Sequence, residues 1–187
     1  MLWKEENMIV ENEIVSVRGK ELLLRNAAEE DARMMLDYLK TVSGETKYLV
    51  KEPEEITLTL EQEKEFINNN NRSVNNLLLL GFLEGEYVGN CSLMGMSASR
   101  YQHRASMGVA LYQKYTGMGI GRAMIERLFA LAGEKGIEQI ELEVVTDNER
   151  AVRLYKSMGF EIHGTLPNNM KYKDGTYADV YWMMKRL

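Results

Sequence analysis

The chain has 187 residues, 45% hydrophobic and 27% charged, as expected for one soluble globular domain with a real core. Its formal net charge of -5 argues against extended nucleic-acid binding, which needs clustered Lys and Arg, and its longest apolar run, Leu77-Leu78-Leu79-Leu80, is too short for a membrane span. One cysteine, Cys91, excludes an internal disulfide, and the acidic stretch Met1–Asn12 lacks a signal-peptide pattern, so the expected location is cytoplasmic.

Residues 1–12 read as a polar N-terminal leader and residues 13–187 as a single domain, because no Gly/Ser-rich linker interrupts them. Glu21-Leu22-Leu23-Leu24-Arg25 predicts a first strand. Ala28 to Leu39 predicts a helix, with Met34, Met35, Tyr38 and Leu39 at helical spacing. A second helix is expected from Thr59 to Asn70, where Thr59 and Gln62 form a capping-box pattern. A hairpin follows: Leu77–Leu83, the turn Glu84-Gly85-Glu86, then Tyr87–Met96. A strand over Arg104–Tyr112 leads through a glycine-rich turn into a helix from Gly119 to Gly133. The remainder predicts a strand at Ile137–Val145, a helix at Asn148–Met158, and strands at Phe160–Thr165 and Tyr177–Lys185. The order is mixed α and β, with one right-handed parallel crossover inside a mostly antiparallel sheet.

The glycine-rich turn reads Tyr115-Thr116-Gly117-Met118-Gly119-Ile120-Gly121-Arg122-Ala123. Glycines at alternate positions permit positive φ and close ligand approach, and their unpaired amides stand at a helix N-terminus. That combination suits phosphate or diphosphate. A dinucleotide G-x-G-x-x-G would need glycine at Arg122 or at Met124, so both registers fail. A nucleotide P-loop fails as well, because Arg122-Ala123 stands where Lys-Ser/Thr is required. A glycine-rich turn that binds nothing is the plain alternative.

The segment resembles the acetyl-CoA diphosphate turn of the GNAT N-acetyltransferase superfamily, Gln/Arg-x-x-Gly-x-Gly/Ala. Gly119-Ile120-Gly121 fits its second half, and Thr116 stands where Gln or Arg is usual. Farther on, Asn148-Glu149-Arg150-Ala151-Val152-Arg153-Leu154-Tyr155-Lys156-Ser157-Met158-Gly159-Phe160 resembles the second GNAT signature, N-x-x-A-x-x-L-Y-x-x-x-G-F. On a helix Ala151, Leu154, Tyr155 and Met158 share one face, and Gly159 is placed to end it. Core packing accounts for Leu154, Met158 and Phe160. Helix capping alone accounts for Asn148.

The resemblance implies a GNAT-like α/β (α+β) fold: a mixed, mostly antiparallel twisted sheet of six to seven strands, about four helices and a splayed central parallel pair. It implies acetyl-CoA as cosubstrate, held by Val109, Ala110, Leu111, Thr116, Gly117, Met118, Gly119, Ile120, Gly121, Arg122, Asn148 and Tyr155. The strand bulges near Val109–Leu111, an amide around Val109 polarises the thioester, and the amine attacks directly. Tyr155 is the implied general acid toward sulfur. The positions where relatives place a proton acceptor are Ala105 and Met107, which cannot serve. His103, Glu143, Glu141 or a water chain stay as candidates for the base.

Cys91 lies among apolar strand residues without an activating partner, His163 has no ligand set around it, and no metal is expected. The implied acceptor is a primary amine on a small molecule, an amino acid or a protein N-terminus. Family members are often homodimers. A catalytically silent acyl-CoA sensor or scaffold on the same fold is the alternative function.

Overall fold

A computed structural model describes residues 7–187. One eight-stranded sheet runs in the order β1 (Glu13–Val17), β2 (Lys20–Asn26), β3 (Asn76–Leu83), β4 (Glu86–Gly95), β5 (Arg104–Leu111), β6 (Gln139–Val145), β8 (Tyr177–Arg186), β7 (Glu161–Lys171). Its helices are α1 (Ala32–Glu45), α2 (Leu60–Arg72), α3 (Ile120–Glu134) and α4 (Glu149–Ser157). Every strand pairing is antiparallel except β5 with β6. Among the described residues no helix is long and apolar enough to cross a membrane.

The eight strands exceed the expected six to seven because β1 was missing from the sequence reading. Ile14, Val15 and Val17 alternate across it, and Arg18 (φ 52°) with Gly19 (φ 80°) makes a two-residue turn into β2. Both central residues have positive φ, as in a type I′ hairpin, but the turn has arginine at its first position where the usual signal is Asn or Asp. Of residues 7–12, Met8 and Val10 are buried, and Asn26 holds them: its Oδ1 accepts from Val10 N (2.6 Å) and its Nδ2 donates to Met8 O (3.1 Å).

The helices cover two faces. On one, α3 and α4 bury Ile120, Met124, Ile125, Leu128, Tyr155 and Met158 against Cys91, Ala105, Met107 and Leu142. On the other, α1 and α2 bury Met35, Tyr38, Val42 and Ile67 against Leu78, Leu80 and Tyr87. Alternation along β5 follows directly, with Ala105, Met107, Val109 and Leu111 facing the first layer and Ala110 facing the second.

Helix ends follow local chemistry. Gly159 (φ 90°) closes α4 in a Schellman arrangement: Phe160 N donates to Tyr155 O and Gly159 N to Lys156 O, both at 3.0 Å. Gly136 (φ 78°) does the same for α3, through Ile137 N to Ala132 O and Gly136 N to Gly133 O. The helix therefore passes Gly133, where it was expected to stop. At the other end of the chain Asp31 shifts the start of α1. Its carboxylate accepts from Ala28 N (2.7 Å) and from both Arg25 guanidinium nitrogens (2.7 and 2.8 Å), holding a 3-10 turn at Glu29–Asp31 before the helix.

Candidate active site

Between β5 and β6 only three residue pairs match, Arg104 with Gln139, Ala105 with Ile140 and Ser106 with Glu141. Beyond Ser106 the two strands part. On its other side β5 stays paired with β4 without a register shift, from Gly95 with Ala105 to Gly89 with Leu111. The expected bulge at Val109–Leu111 is therefore not seen in this pairing, and the split alone opens the sheet. Just past the strand, Tyr112 N donates to Val88 O at 3.0 Å. By the alternation of an antiparallel ladder, the amides of Gly108 and Ala110 then point to β4, and those of Val109 and Leu111 point into the opening.

At the wide end of this opening lies the glycine turn. Gly117 (φ 76°) and Gly119 (φ 92°) take the left-handed conformation, and Gly119 is the N-cap of α3. Thr116 N donates to Gln113 O, and the first helical bond runs from Ala123 N to Gly119 O. The six amides between them, Gly117 through Arg122, have no acceptor among the described residues. A helix start alone leaves about four. Gly121 has ordinary helical φ, and a Cβ there would meet only Leu111 Cδ1 at 3.7 Å and Leu154 Cδ2 at 3.8 Å. The end of β5, the head of α3 and the flank of α4 thus meet around a glycine that neither backbone strain nor packing demands.

Arg122 was expected among the cofactor ligands, and its amide does belong to the six. Its side chain turns away, donating to Ser157 Oγ (2.6 Å) and lying 3.6 Å from Glu126. Met118 packs against the core beside α3. The hydroxyl of Thr116 donates to Gln113 O at 2.8 Å and accepts from Arg150 Nη1. Arg150 was not singled out in the sequence. Its signal would have been its place two residues after Asn148, at the positive end of α4.

Tyr155 lies on the buried face of α4, 8% exposed, edge-on to Phe160 with centroids 5.7 Å apart. Burial pushes its phenol up to about 12, so the hydroxyl holds its proton at neutral pH. That hydroxyl has no hydrogen bond among the described residues, yet it is not among the polar atoms sealed from solvent. Asn148 caps α4, its Oδ1 accepting from Ala151 N at 3.3 Å. On the opposite face Tyr38, 1% exposed, donates to Ala110 O at 2.6 Å and so braces β5 between the two amides that face the opening.

The base candidates fall at different places. His103 is exposed at the closed end of the pair, where its carbonyl accepts from Glu138 N and Gln139 N. Six residues of extended strand, roughly 20 Å, separate it from Val109, so the fold does not bring it to the opening. Glu141 is committed to Arg104 at 2.6 Å. Glu143 is exposed on β6 beyond the split, on the sheet face away from α3 and α4, opposite Trp182. Ala105 and Met107 are buried on the α3–α4 face. Cys91 is fully buried and its thiol is pushed up to about 12 by burial, which leaves it unreactive.

Residues 46–55 and the tip of the β7–β8 hairpin enclose a cavity of about 370 Å³, lined by Ser43, Lys47, Leu49, Met170 and Tyr172 among others. Lys47 pairs with Asp147 at 2.6 Å and Tyr48 Oη donates to Asp147 O at 3.3 Å, which ties this segment to the residue before Asn148. Lys173 bridges to Glu54 (2.9 Å) and Glu52 (3.6 Å) from the hairpin side.

Residues 36–160 match the acetyltransferase (GNAT) family model. A GNAT-family acetyltransferase structure from Streptococcus pneumoniae superposes with a TM-score of 0.85 at 32% identity, covering 89% of this chain and all of the other. The L-amino acid N-acetyltransferase of Escherichia coli is 29% identical over 110 residues, 57% of this chain and 66% of that protein. A thialysine N-epsilon-acetyltransferase from Bos taurus is 36% identical over 81 residues, 40% of this chain and 48% of that enzyme. The chain thus spans about two thirds of one curated relative and about half of the other. With the split strand pair, the amide-lined turn and both signature segments in place, this chain belongs to the GNAT acetyltransferase family.

Proposed function

We propose that the chain transfers an acetyl group from acetyl-CoA to a primary amine carried by a small molecule or a peptide. The observation that supports this most directly is the run of six unpaired amides, Gly117–Arg122, at the open end of the β5–β6 split. Six converging donors at a helix N-terminus, half-open to solvent, suit an anion with several acceptors, and a diphosphate supplies several at once. The amides of Leu111 and Val109 face the same opening and suit the pantetheine arm. The Val109 N–H then stabilises negative charge developing on the thioester oxygen. Tyr155, protonated and otherwise without a partner, donates toward the departing sulfur.

The acceptor approaches from the α1–α2 side, where residues 46–55 and the β7–β8 hairpin line a cavity. At neutral pH only about one alkyl amine in a thousand is unprotonated, so its proton needs a destination. Glu143 is a carboxylate beside the split on that side and makes no ion pair among the described residues. It takes this role directly or through water.

Acetylation of an amine panel, followed by release of the CoA thiol, tests the reading. For the amine that reacts, Tyr155→Phe should leave acetyl-CoA affinity within about twofold and lower kcat by roughly 10²-fold, the lower end for general-acid catalysis. Tight acetyl-CoA binding with no acetylated amine, and no effect of the substitution, would support an acyl-CoA-binding module instead.

A further inference from the structure

We infer that Arg150 supplies the cation of the diphosphate cradle, delivered from α4 to the place where the turn itself has Thr116. This rests on the acetyl-CoA reading above. All six free donors of the turn are neutral amides, and the only arginine within the turn, Arg122, is turned toward Ser157 and Glu126. Arg150 approaches from the neighbouring helix. Thr116 spends its hydroxyl proton on Gln113 O, so the hydroxyl lone pairs accept from Arg150 Nη1 and fix the guanidinium beside Gly117, where the free amides begin.

The rest of that guanidinium is uncommitted. Glu149, the acid next to it in sequence, is paired with Arg153 at 2.8 Å, and among the described residues Arg150 has no carboxylate partner. A planar fork with four of its five N–H donors unspent, exposed at the lip of an amide cradle, matches phosphate oxygens in charge and shape. Thr116 therefore acts as the seat for a cation that comes from elsewhere in the chain. The missing Gln or Arg at its position is replaced in space by a residue 34 positions away.

The test uses three acetyl donors: acetyl-CoA, acetyl-dephospho-CoA, which keeps the diphosphate but lacks the ribose phosphate, and acetyl-pantetheine, which has neither. Arg150→Ala should raise KM about tenfold for the first two donors and leave acetyl-pantetheine unchanged, with kcat at saturation preserved for all three. Arg150→Lys should recover part of the loss. Wild-type affinity for acetyl-CoA should fall more steeply with added salt than that of Arg150→Ala. Equal losses on all three donors would mean a structural role, and a loss confined to acetyl-CoA would move the contact to the ribose phosphate; either overturns the inference. Gly121→Ala is the control for the underlying reading, because its Cβ meets only ordinary contacts at 3.7 and 3.8 Å. If Gly121→Ala weakens acetyl-CoA binding and Arg150→Ala does not, the inference fails alone. If neither affects binding, the cradle is not the acetyl-CoA site.

Discussion

In the proposed reaction Gly121 and Tyr155 serve in opposite ways, one by lacking a side chain and the other by keeping a proton. Glycine costs a helix about 1 kcal/mol relative to alanine, and at Gly121 neither φ nor crowding compensates. The ligand approach proposed above would account for it, as the sequence pattern suggested. Tyr155 was legible as a residue but not as an environment. Its phenol is held up to about 12 by burial, against an ordinary value of 10.0. Because the folded value is the higher one, the stability associated with the neutral phenol is fully present below about pH 10 and is lost as pH climbs from about 10 to 12. Between pH 7 and 10 the acid is present throughout, so kcat/KM for an alkyl amine should rise with the free-amine fraction and not turn down. A falling limb with a midpoint below pH 10, absent in Tyr155→Phe, would show that the phenol ionises where the structure says it does not.

Elements were legible where a local signal and the tertiary structure agreed. In α2, Thr59 Oγ1 accepts from Gln62 N (3.2 Å) and Gln62 Oε1 accepts from Thr59 N (2.9 Å), the reciprocal pair expected from sequence. Thr59→Ala should lower unfolding free energy by about 1 kcal/mol, read from the urea midpoint, with kcat/KM unchanged. A larger loss, or a change in activity, would mean that α2 is coupled to the site through more than its packing. The start of α1 went differently, since Arg25 is six residues from Asp31 and only the fold makes their bidentate contact. β1 was missed because its turn residues, Arg18 and Gly19, do not form a strong turn signal. It matters to the site: Val17 Cγ1 stands 3.5 Å from where a Cβ of Gly119 would be, so β1 backs the glycine turn.

For the molecule as a whole, the decisive feature is a sheet that fails to close. Three matched pairs hold β5 to β6, and from Met107 onward the edge of β5 faces open space. Amides of this kind exchange readily until something hydrogen-bonds to them. Adding acetyl-CoA should therefore slow hydrogen exchange at Val109, Leu111 and Gly117–Arg122 while leaving the β3–β4 ladder as it was. At 100 times Kd it should also raise global stability by about 2.7 kcal/mol. Protection spread evenly over the sheet, or absent from the glycine turn, would place the ligand elsewhere.

The sequence by itself determined the mixed α/β order, the glycine turn, the helix bearing Tyr155 and the family they resemble. Those depend on contacts within a few residues: positive φ at glycine, capping pairs, and apolar spacing along one helix. Only the tertiary structure decided which groups meet. It set His103 at the closed end of the split and Glu143 beside the open part, turned Arg122 out of the cradle, and brought Arg150 to Thr116. The reason is physical. Where β5 parts from β6, and how α3 and α4 pack over that gap, depends on the summed burial of two core layers, and no single stretch of chain encodes that sum.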